Sequence, residues 1–299
     1  MEGVRTRFVR VDGYRIRILT SGSGARDAVV LPGMSASFQT LAPQIRLLRR
    51  LGYVTHVIEL PGTSCGPALR REHATFAQLA AQTARVLEEI GVRRALILGH
   101  SLGGGIALHL ALSRRDLVER LVLIAPVGLG RSLLWTYKLF SLPVIGRALM
   151  RPIPQASASY ARNVLVGSTR RDDAHFIRTL LRMERPSIAK ILTMRAIVWA
   201  NAPRHFKRVA YLFVPGGEQS TFSVRARLAE LRDLPMLVLW GAQDRVICAR
   251  DAAACASAGL DAQVHVRAGA GHMLPLEAPA WTASRIQSFL AQQPVLRAA

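Results

Sequence analysis

Cysteine, lysine and acidic residues are scarce in this chain. The scarcity of cysteine and the lack of long apolar runs each exclude a class of protein. The three cysteines, Cys65, Cys248 and Cys255, are too few and too widely spaced for a disulfide framework or a metal site. No uncharged apolar run reaches the roughly 18 residues of a membrane span. Charged residues also interrupt the N-terminal segment, where a secretory signal needs an apolar core. These absences predict a reduced, cytoplasmic protein.

Arginine supplies nearly all of the positive charge. Lysine occurs only at positions 138, 190 and 207, so 37 of the 40 basic residues are arginine, and the formal net charge is +21. Because an arginine bias with abundant alanine is typical of a GC-rich genome, only part of this charge indicates a function. The remainder favours an anionic partner. Nucleic acid is not expected, because the sequence has no helix-turn-helix pattern, zinc-ligand spacing or interleaved aromatic and basic surface.

Hydrophobic periodicity indicates an α/β protein. Two short alternating runs flank Asp12-Gly13, a dipeptide that favours a two-residue hairpin turn. Apolar runs then alternate with segments of helical spacing as far as Ile124, and again from Met236. This alternation predicts a mostly parallel sheet with an N-terminal hairpin and helices on both faces.

The alternation stops in the middle third of the chain. Residues 127–225 contain no well-bounded apolar strand, but several helical stretches punctuated by prolines. We therefore predict one core, residues 1–126 and 226–299, with a helical cap inserted at residues 127–225. The cap sequence has 16 basic and four acidic residues. This excess fits a solvated face of an arginine-rich protein, or a surface that receives an anionic acyl substrate, a carrier-bound thioester or a phospholipid. Its apolar stretch at 133–142 is by default a core-facing helix, so membrane contact is not favoured.

The pentapeptide Gly99-His100-Ser101-Leu102-Gly103 joins an apolar strand pattern to an apolar helix pattern. At such a junction Gly-x-Ser-x-Gly forms a sharp, strained turn that lifts the serine hydroxyl above the edge of a sheet. The pattern alone is weak evidence for catalysis. His100 is expected to support the turn or to line the pocket beside Ser101.

Two later residues can activate such a serine. A serine nucleophile needs a base, and the base needs a carboxylate that fixes its tautomer and stabilises its charged form. Asp244 and His272 each follow a predicted strand, and catalytic groups of parallel sheets collect at that edge. The chain order serine, aspartate, histidine is that of α/β-hydrolases.

Further short motifs run along nearly the whole chain. They are Val11-Asp12-Gly13, Leu31-Pro32-Gly33, Glu59-Leu60-Pro61-Gly62, Trp240-Gly241-Ala242-Gln243-Asp244, Gly271-His272 and Glu277-Ala278-Pro279. With the serine turn, they make the chain resemble the α/β-hydrolase fold superfamily, in the branch with a helical cap. The resemblance implies that Ser101 is the nucleophile, His272 the general base and acid, and Asp244 the orienting carboxylate. It implies neither a cofactor nor a metal ion.

The same resemblance implies an oxyanion hole made by two backbone N–H groups, those of Met34 and Leu102. One residue departs from the family pattern, because Pro32-Gly33 stands where His-Gly is usual. Proline removes the N–H of residue 32, but the expected donor is the N–H of residue 34. The shape of this loop is therefore the feature that the departure affects.

Three functions remain open at this point. The first is hydrolysis of a carboxylic ester or thioester, a small-molecule acyl substrate, through an acyl-enzyme on Ser101. The second uses the same three residues for acyl transfer, elimination or carbon–carbon cleavage, which Gly128-Leu129-Gly130 weakly favours. The third is a non-catalytic ligand-binding protein on the same fold. The sequence does not determine the oligomeric state.

Overall fold

One sheet of eight strands forms the centre of the molecule. The computed structural model describes residues 3–34, 37–63, 66–67, 69–130, 174–176, 178–179 and 223–292. The strands of the sheet are β1 (Arg5–Val11), β2 (Tyr14–Ser21), β3 (Arg26–Leu31), β4 (Tyr53–Glu59), β5 (Ala95–His100), β6 (Val118–Ile124), β7 (Met236–Gly241) and β8 (Ala262–Arg267). The apolar runs that the sequence shows up to Ile124 and again from Met236 are strands of this sheet.

The strand order across the sheet is β1-β2-β4-β3-β5-β6-β7-β8. β1 pairs with β2, and β2 with β4, in antiparallel register, whereas every later pairing is parallel. The predicted mostly parallel sheet with an N-terminal hairpin is therefore confirmed. β5 lies in the interior of the sheet and all of its residues are buried, so the serine turn that follows it rests on a rigid support.

The hairpin turn has the backbone that its sequence predicts. Asp12 and Gly13 have φ values of 52° and 73°. Positive φ at both central residues is the geometry of the tight turn that matches the twist of two antiparallel strands. The turn sets the register of β1 on β2, from Val11 opposite Tyr14 to Arg5 opposite Thr20.

Helices cover both faces of the sheet. They are α1 (Ala42–Arg50), α2 (Phe76–Glu89), α3 (Leu102–Ser113), α4 (Ala253–Ser257), α5 (Leu274–Glu277) and α6 (Pro279–Ala291). On one face, α2 and α3 bury residues such as Leu79 and Ile106, and on the other, α1 and α6 bury Ile45 and Ile286. The sheet separates these two hydrophobic clusters. This is the layered α/β arrangement that the sequence predicts.

The predicted cap falls largely outside the described residues, so its boundaries stay a prediction. Its two ends are described and lie side by side, because Val224 N donates to Gly128 O at 2.9 Å. Leu129 and Val224 are buried in the cluster that α2 and α3 cover. Among the helices that the structure describes, none is long and apolar enough to span a membrane.

Candidate active site

Ser101 occupies a strained turn between β5 and α3. β5 ends at His100, α3 begins at Leu102, and Ser101 has φ 53° and ψ −114°. A non-glycine residue in this conformation costs free energy and is found mainly where the surrounding structure imposes it. The five residues Gly99–Gly103 are called the elbow below. The geometry is that of the nucleophile turn which the sequence predicts.

The elbow requires glycine at both of its ends. A Cβ atom on Gly99 would lie 2.5 Å from Gly103 O, and one on Gly103 would lie 2.0 Å from Leu31 O. Both distances are shorter than non-bonded atoms tolerate. The absence of side chains therefore lets the elbow close and lets the end of β3 lie directly against it.

The segment after β6 holds the backbone of Ser101 from both sides. Ser101 N donates to Ile124 O at 2.9 Å, and Val127 N donates to Ser101 O at 3.1 Å. Between them, Ala125 has φ 43°, another positive value at a non-glycine residue. The chain thus turns sharply at Ala125 and makes both hydrogen bonds. These backbone contacts hold Ser101 in its strained conformation.

His272 joins Ser101 to Asp244. His272 Nε2 lies 3.0 Å from Ser101 Oγ, and His272 Nδ1 lies 2.8 Å from Asp244 Oδ2. Because an ionised carboxylate only accepts hydrogen bonds, Nδ1 carries the proton, and Nε2 of the neutral ring accepts one from the serine hydroxyl. The structure brings together the three side chains that the sequence singled out.

Asp244 is buried, and four donors compensate for its desolvation. Its side chain has no exposed surface. Oδ1 accepts from the backbone N–H groups of Val246 and Ile247, at 2.8 and 3.0 Å. Oδ2 accepts from Trp240 Nε1 at 3.0 Å, in addition to His272. These four donors satisfy both oxygens of the buried carboxylate.

His100 supports the histidine rather than acting as a second base. His100 Nε2 donates to the backbone oxygen of His272 at 3.0 Å. Burial, followed by repulsion from His272, lowers the pKa of His100 to about 3. The ring is therefore neutral near pH 7, and its Nδ1 has no hydrogen-bond partner in the part of the chain that the structure describes.

Glu277 and Gln243 were not singled out by the sequence as parts of the site. Glu277 accepts hydrogen bonds from Gly271 N at 2.8 Å and Met273 N at 3.0 Å, on either side of His272. Gln243, next to Asp244, donates from its backbone N to Ala270 O and accepts from Gly269 N, both at 2.9 Å. The Gln243 contacts join the loop that carries His272 to the loop that carries Asp244, whereas the Glu277 contacts join the His272 loop to α5.

One expected oxyanion donor, Leu102, lies in the elbow, and the other, Met34, lies in the loop after β3. Leu102 is the first residue of α3, where a backbone N–H has no partner within the helix. Met34 follows β3 and forms an isolated antiparallel bridge with Thr63. Since the Gly103 Cβ position would also lie 2.7 Å from Pro32 O, the loop after β3 lies against the elbow in spite of the proline. Their role as oxyanion donors stays a prediction.

Other reactive side chains stand apart from this arrangement. Burial raises the pKa of the Cys255 thiol to about 11, so it is protonated and unreactive. Within the described ranges, no three His, Cys, Asp or Glu side chains are grouped so that they could hold a metal ion.

A model of the alpha/beta hydrolase fold family matches residues 29–279 of this chain. The match runs from β3 to the start of α6 and includes Ser101, Asp244 and His272. It covers well over half of the chain.

Two named relatives differ in activity. The dihydrolipoyllysine-residue acetyltransferase component of an acetoin cleaving system from Cupriavidus necator is 30% identical over 272 residues, 91% of this chain and 65% of that protein. This chain therefore spans less than two thirds of that relative. A 2-hydroxymuconate semialdehyde hydrolase from Pseudomonas putida is 26% identical over 219 residues, 71% of this chain and 67% of that protein.

A solved structure agrees with the fold. The carboxylesterase CesB from Bacillus subtilis superposes with a TM-score of 0.69 at 20% identity, covering 96% of this chain and 92% of that one. At this identity the likeness shows the fold alone.

Proposed function

This chain belongs to the alpha/beta hydrolase fold family, and on that premise we propose that it is a serine hydrolase of carboxylic esters or thioesters. The observation that carries the proposal is the pair of contacts made by His272, 3.0 Å to Ser101 Oγ and 2.8 Å to Asp244 Oδ2. One imidazole thus has an acceptor nitrogen at a hydroxyl and a donor nitrogen at a carboxylate. This is the arrangement that nucleophilic serine catalysis needs.

The first half of the proposed reaction forms an acyl-enzyme. Ser101 Oγ attacks the carbonyl carbon of the substrate while its proton passes to His272 Nε2. Asp244 stabilises the imidazolium through Nδ1, and the N–H groups of Met34 and Leu102 bind the oxyanion. When the tetrahedral intermediate collapses, the alcohol or thiol leaves with the proton from Nε2.

Water completes the cycle by the same route. His272 Nε2 takes a proton from a water molecule, whose oxygen attacks the acyl carbon. The second tetrahedral intermediate then releases the carboxylic acid as Ser101 Oγ regains its proton. No redox step and no exchange of a metal-bound ligand is required.

The charge of the cap sequence supports an anionic substrate. Residues 127–225 carry a net excess of 12 positive charges, from 16 basic and four acidic residues. An excess of positive charge on a protein raises the local concentration of anions and speeds their association. A carboxylated ester or a carrier-bound acyl thioester fits this charge. The similarity to a dihydrolipoyllysine-residue acetyltransferase component favours an acyl substrate.

The nucleophile can be tested directly with a fluorophosphonate probe, which reacts with activated serines. We expect a covalent adduct on Ser101 of the native protein and none in Ser101→Ala. Ser113→Ala is the matched control, because Ser113 lies at the other end of α3 and its hydroxyl bonds to His109 O. Native protein without an adduct on Ser101 would refute the proposal.

Carbon–carbon bond hydrolysis is the second candidate. The similarity to 2-hydroxymuconate semialdehyde hydrolase favours it, and it would use Ser101, His272 and Asp244 without change of position. Product analysis with esters, acyl thioesters and a β-diketone as alternative substrates separates the two. Acyl transfer is recognised by adding an amine or thiol and looking for its acylated product.

A non-catalytic ligand-binding protein is the remaining alternative. It has no need of a strained serine, nor of a buried carboxylate with four donors next to a histidine. Tight ligand binding together with an unlabelled Ser101 would favour it over both enzymatic candidates.

A further inference from the structure

The loop that carries His272, residues 268–273, is held by both oxygens of one carboxylate. Glu277 Oε2 accepts from Gly271 N at 2.8 Å, and Glu277 Oε1 accepts from Met273 N at 3.0 Å. The Gly271 N–H belongs to the peptide between Ala270 and Gly271, and the Met273 N–H to the peptide between His272 and Met273. The carboxylate therefore holds the chain on both sides of the residue that bridges Ser101 and Asp244.

Helix capping accounts for only one of these contacts. Glu277 is the last residue of α5, and Met273 is the residue that precedes this helix. A side chain that accepts from Met273 N acts as an N-terminal cap. Gly271 N lies two residues further back, outside the helix. The second hydrogen bond thus acts on the loop and not on the helix.

The backbone oxygen of His272 is a third polar group in this loop, and a side chain from the elbow binds it. His100, which precedes Ser101, donates from Nε2 to the backbone oxygen of His272. The loop is also pressed against the end of β7, where a Cβ on Gly241 would lie 2.4 Å from Ala270 O. Together with these contacts, the two Glu277 hydrogen bonds hold the chain on both sides of the imidazole.

We propose that Glu277 is a positioning residue that keeps the His272 imidazole aligned between Ser101 and Asp244. The inference rests on the proposed function, because alignment matters to a rate only if His272 transfers the proton of Ser101. Loss of alignment by about 1 Å is worth up to about a hundredfold in rate. Because both loop amides bond to Glu277, we expect substrate binding to be unaffected.

The test compares Glu277→Gln with Glu230→Gln. Glutamine keeps the size of the side chain but replaces one acceptor oxygen with an NH₂ donor, so one of the two amide contacts is lost. Glu230 is an exposed glutamate paired with Arg227, and its substitution is the matched control. For Glu277→Gln we expect a fall on the order of tenfold in kcat and in the rate of fluorophosphonate labelling, with KM and the thermal unfolding midpoint near native values.

A second readout reports on the ring itself. In protein with ¹⁵N-labelled histidine, the proton on His272 Nδ1, shared with Asp244, should broaden or shift in Glu277→Gln and keep its native position in Glu230→Gln. A purely structural role predicts a lower unfolding midpoint with an unchanged His272 signal. Either that result or native labelling by Glu277→Gln overturns the inference while the proposed function stands.

Failure of the proposed function looks different. It leaves the native protein without an adduct on Ser101, whatever residue occupies position 277. In that case the His272 spectrum alone decides the inference, since an unchanged ring signal in Glu277→Gln contradicts it.

Discussion

The elbow and the His272 loop lie opposite each other across the candidate site, but they are held in place by different means. Backbone contacts hold the elbow: Ser101 is bonded to the segment after β6, and Gly103 lies too close to Leu31 for any side chain. The start of the His272 loop also packs on Gly241, but side-chain hydrogen bonds from Glu277 and His100 hold the residues next to His272. The elbow is thus held by backbone contacts and close packing, and the surroundings of His272 depend in addition on particular polar groups.

Because of this difference, we expect the two regions to tolerate different kinds of substitution. Added volume should damage the elbow, because its neighbours are backbone atoms that cannot move aside. In the His272 loop, replacing a hydrogen-bonding group by one of equal volume should be enough to disturb the position of His272. The nucleophile is thus fixed by packing, and its base by hydrogen bonding.

The largest expected effect follows from an isosteric substitution of Asp244. In Asp244→Asn, the amide group can present NH₂ to His272 Nδ1, which favours the wrong tautomer for accepting the serine proton. We expect kcat to fall on the order of 10⁴-fold, the loss that this substitution causes in serine proteases. Steady-state kinetics and the rate of fluorophosphonate labelling measure it.

Asp116→Asn is the control for this change, since Asp116 is an exposed partner of Arg114. It should keep native activity. A loss of less than tenfold in Asp244→Asn would mean that side-chain chemistry is not what maintains this half of the site.

Added volume in the elbow should give the next largest effect, this time on stability. Gly103→Ala places a methyl group where only 2.0 Å separates it from Leu31 O. We expect the free energy of unfolding to fall by about 3 kcal/mol, at the upper end for overpacking, because backbone must shift. Urea unfolding measures the loss.

Gly269→Ala in the His272 loop is the comparison for that experiment. Gly269 also lacks a side chain and has φ 77°, but no atom would lie within 4 Å of its Cβ. Its cost should be limited to backbone strain, about 1 kcal/mol. Equal losses in the two variants would show that packing does not distinguish the two regions.

The last effect, which is small near neutral pH and grows as the pH falls, concerns His100, which connects the elbow to the His272 loop. Its pKa is about 3 in the folded protein, against an ordinary value of 6.5. As the pH falls below 6.5, the unfolded chain takes up a proton at this position and the folded protein does not. The free energy of unfolding should therefore decrease by about 1.4 kcal/mol per pH unit towards pH 3, and be fully retained above pH 6.5.

His100→Gln keeps an N–H donor near Nε2 and removes the titration. Urea unfolding at a series of pH values should give a shallower slope for this variant than for the native protein. His265→Gln should change the slope less, because burial lowers the pKa of the more exposed His265 by a smaller amount. Identical slopes for the native protein and His100→Gln would contradict the buried, neutral state of His100.

Much of the fold could be predicted from the chain because its signals are local. The Asp12-Gly13 turn, the apolar strand runs and the helical spacing of α2 each depend on residues within one element. The Gly-x-Ser-x-Gly turn is also local, and the structure has it between β5 and α3. Asp244 and His272 were identified because each follows a strand whose pattern is clear.

The supporting residues could not be found in this way. Trp240 bonds to Asp244 only because its indole reaches past the end of β7, and Glu277 bonds to Gly271 only because α5 turns back towards the loop. Ala125 carries no sequence signal for its positive φ, since alanine prefers other conformations. These features depend on contacts between secondary-structure elements, and the propensities of the residues within one element carry no information about such contacts.

The sequence by itself determined the order of strands and helices, the strained serine turn, and which side chains follow the strand ends. Only the tertiary structure decided that Ser101 and His272, 171 residues apart, lie within hydrogen-bond distance. The physical reason is that parallel register brings the carboxyl ends of β5, β7 and β8 to one edge of the sheet. Glycine clearance at the elbow and the Glu277 hydrogen bonds at the His272 loop then set the distances between the side chains.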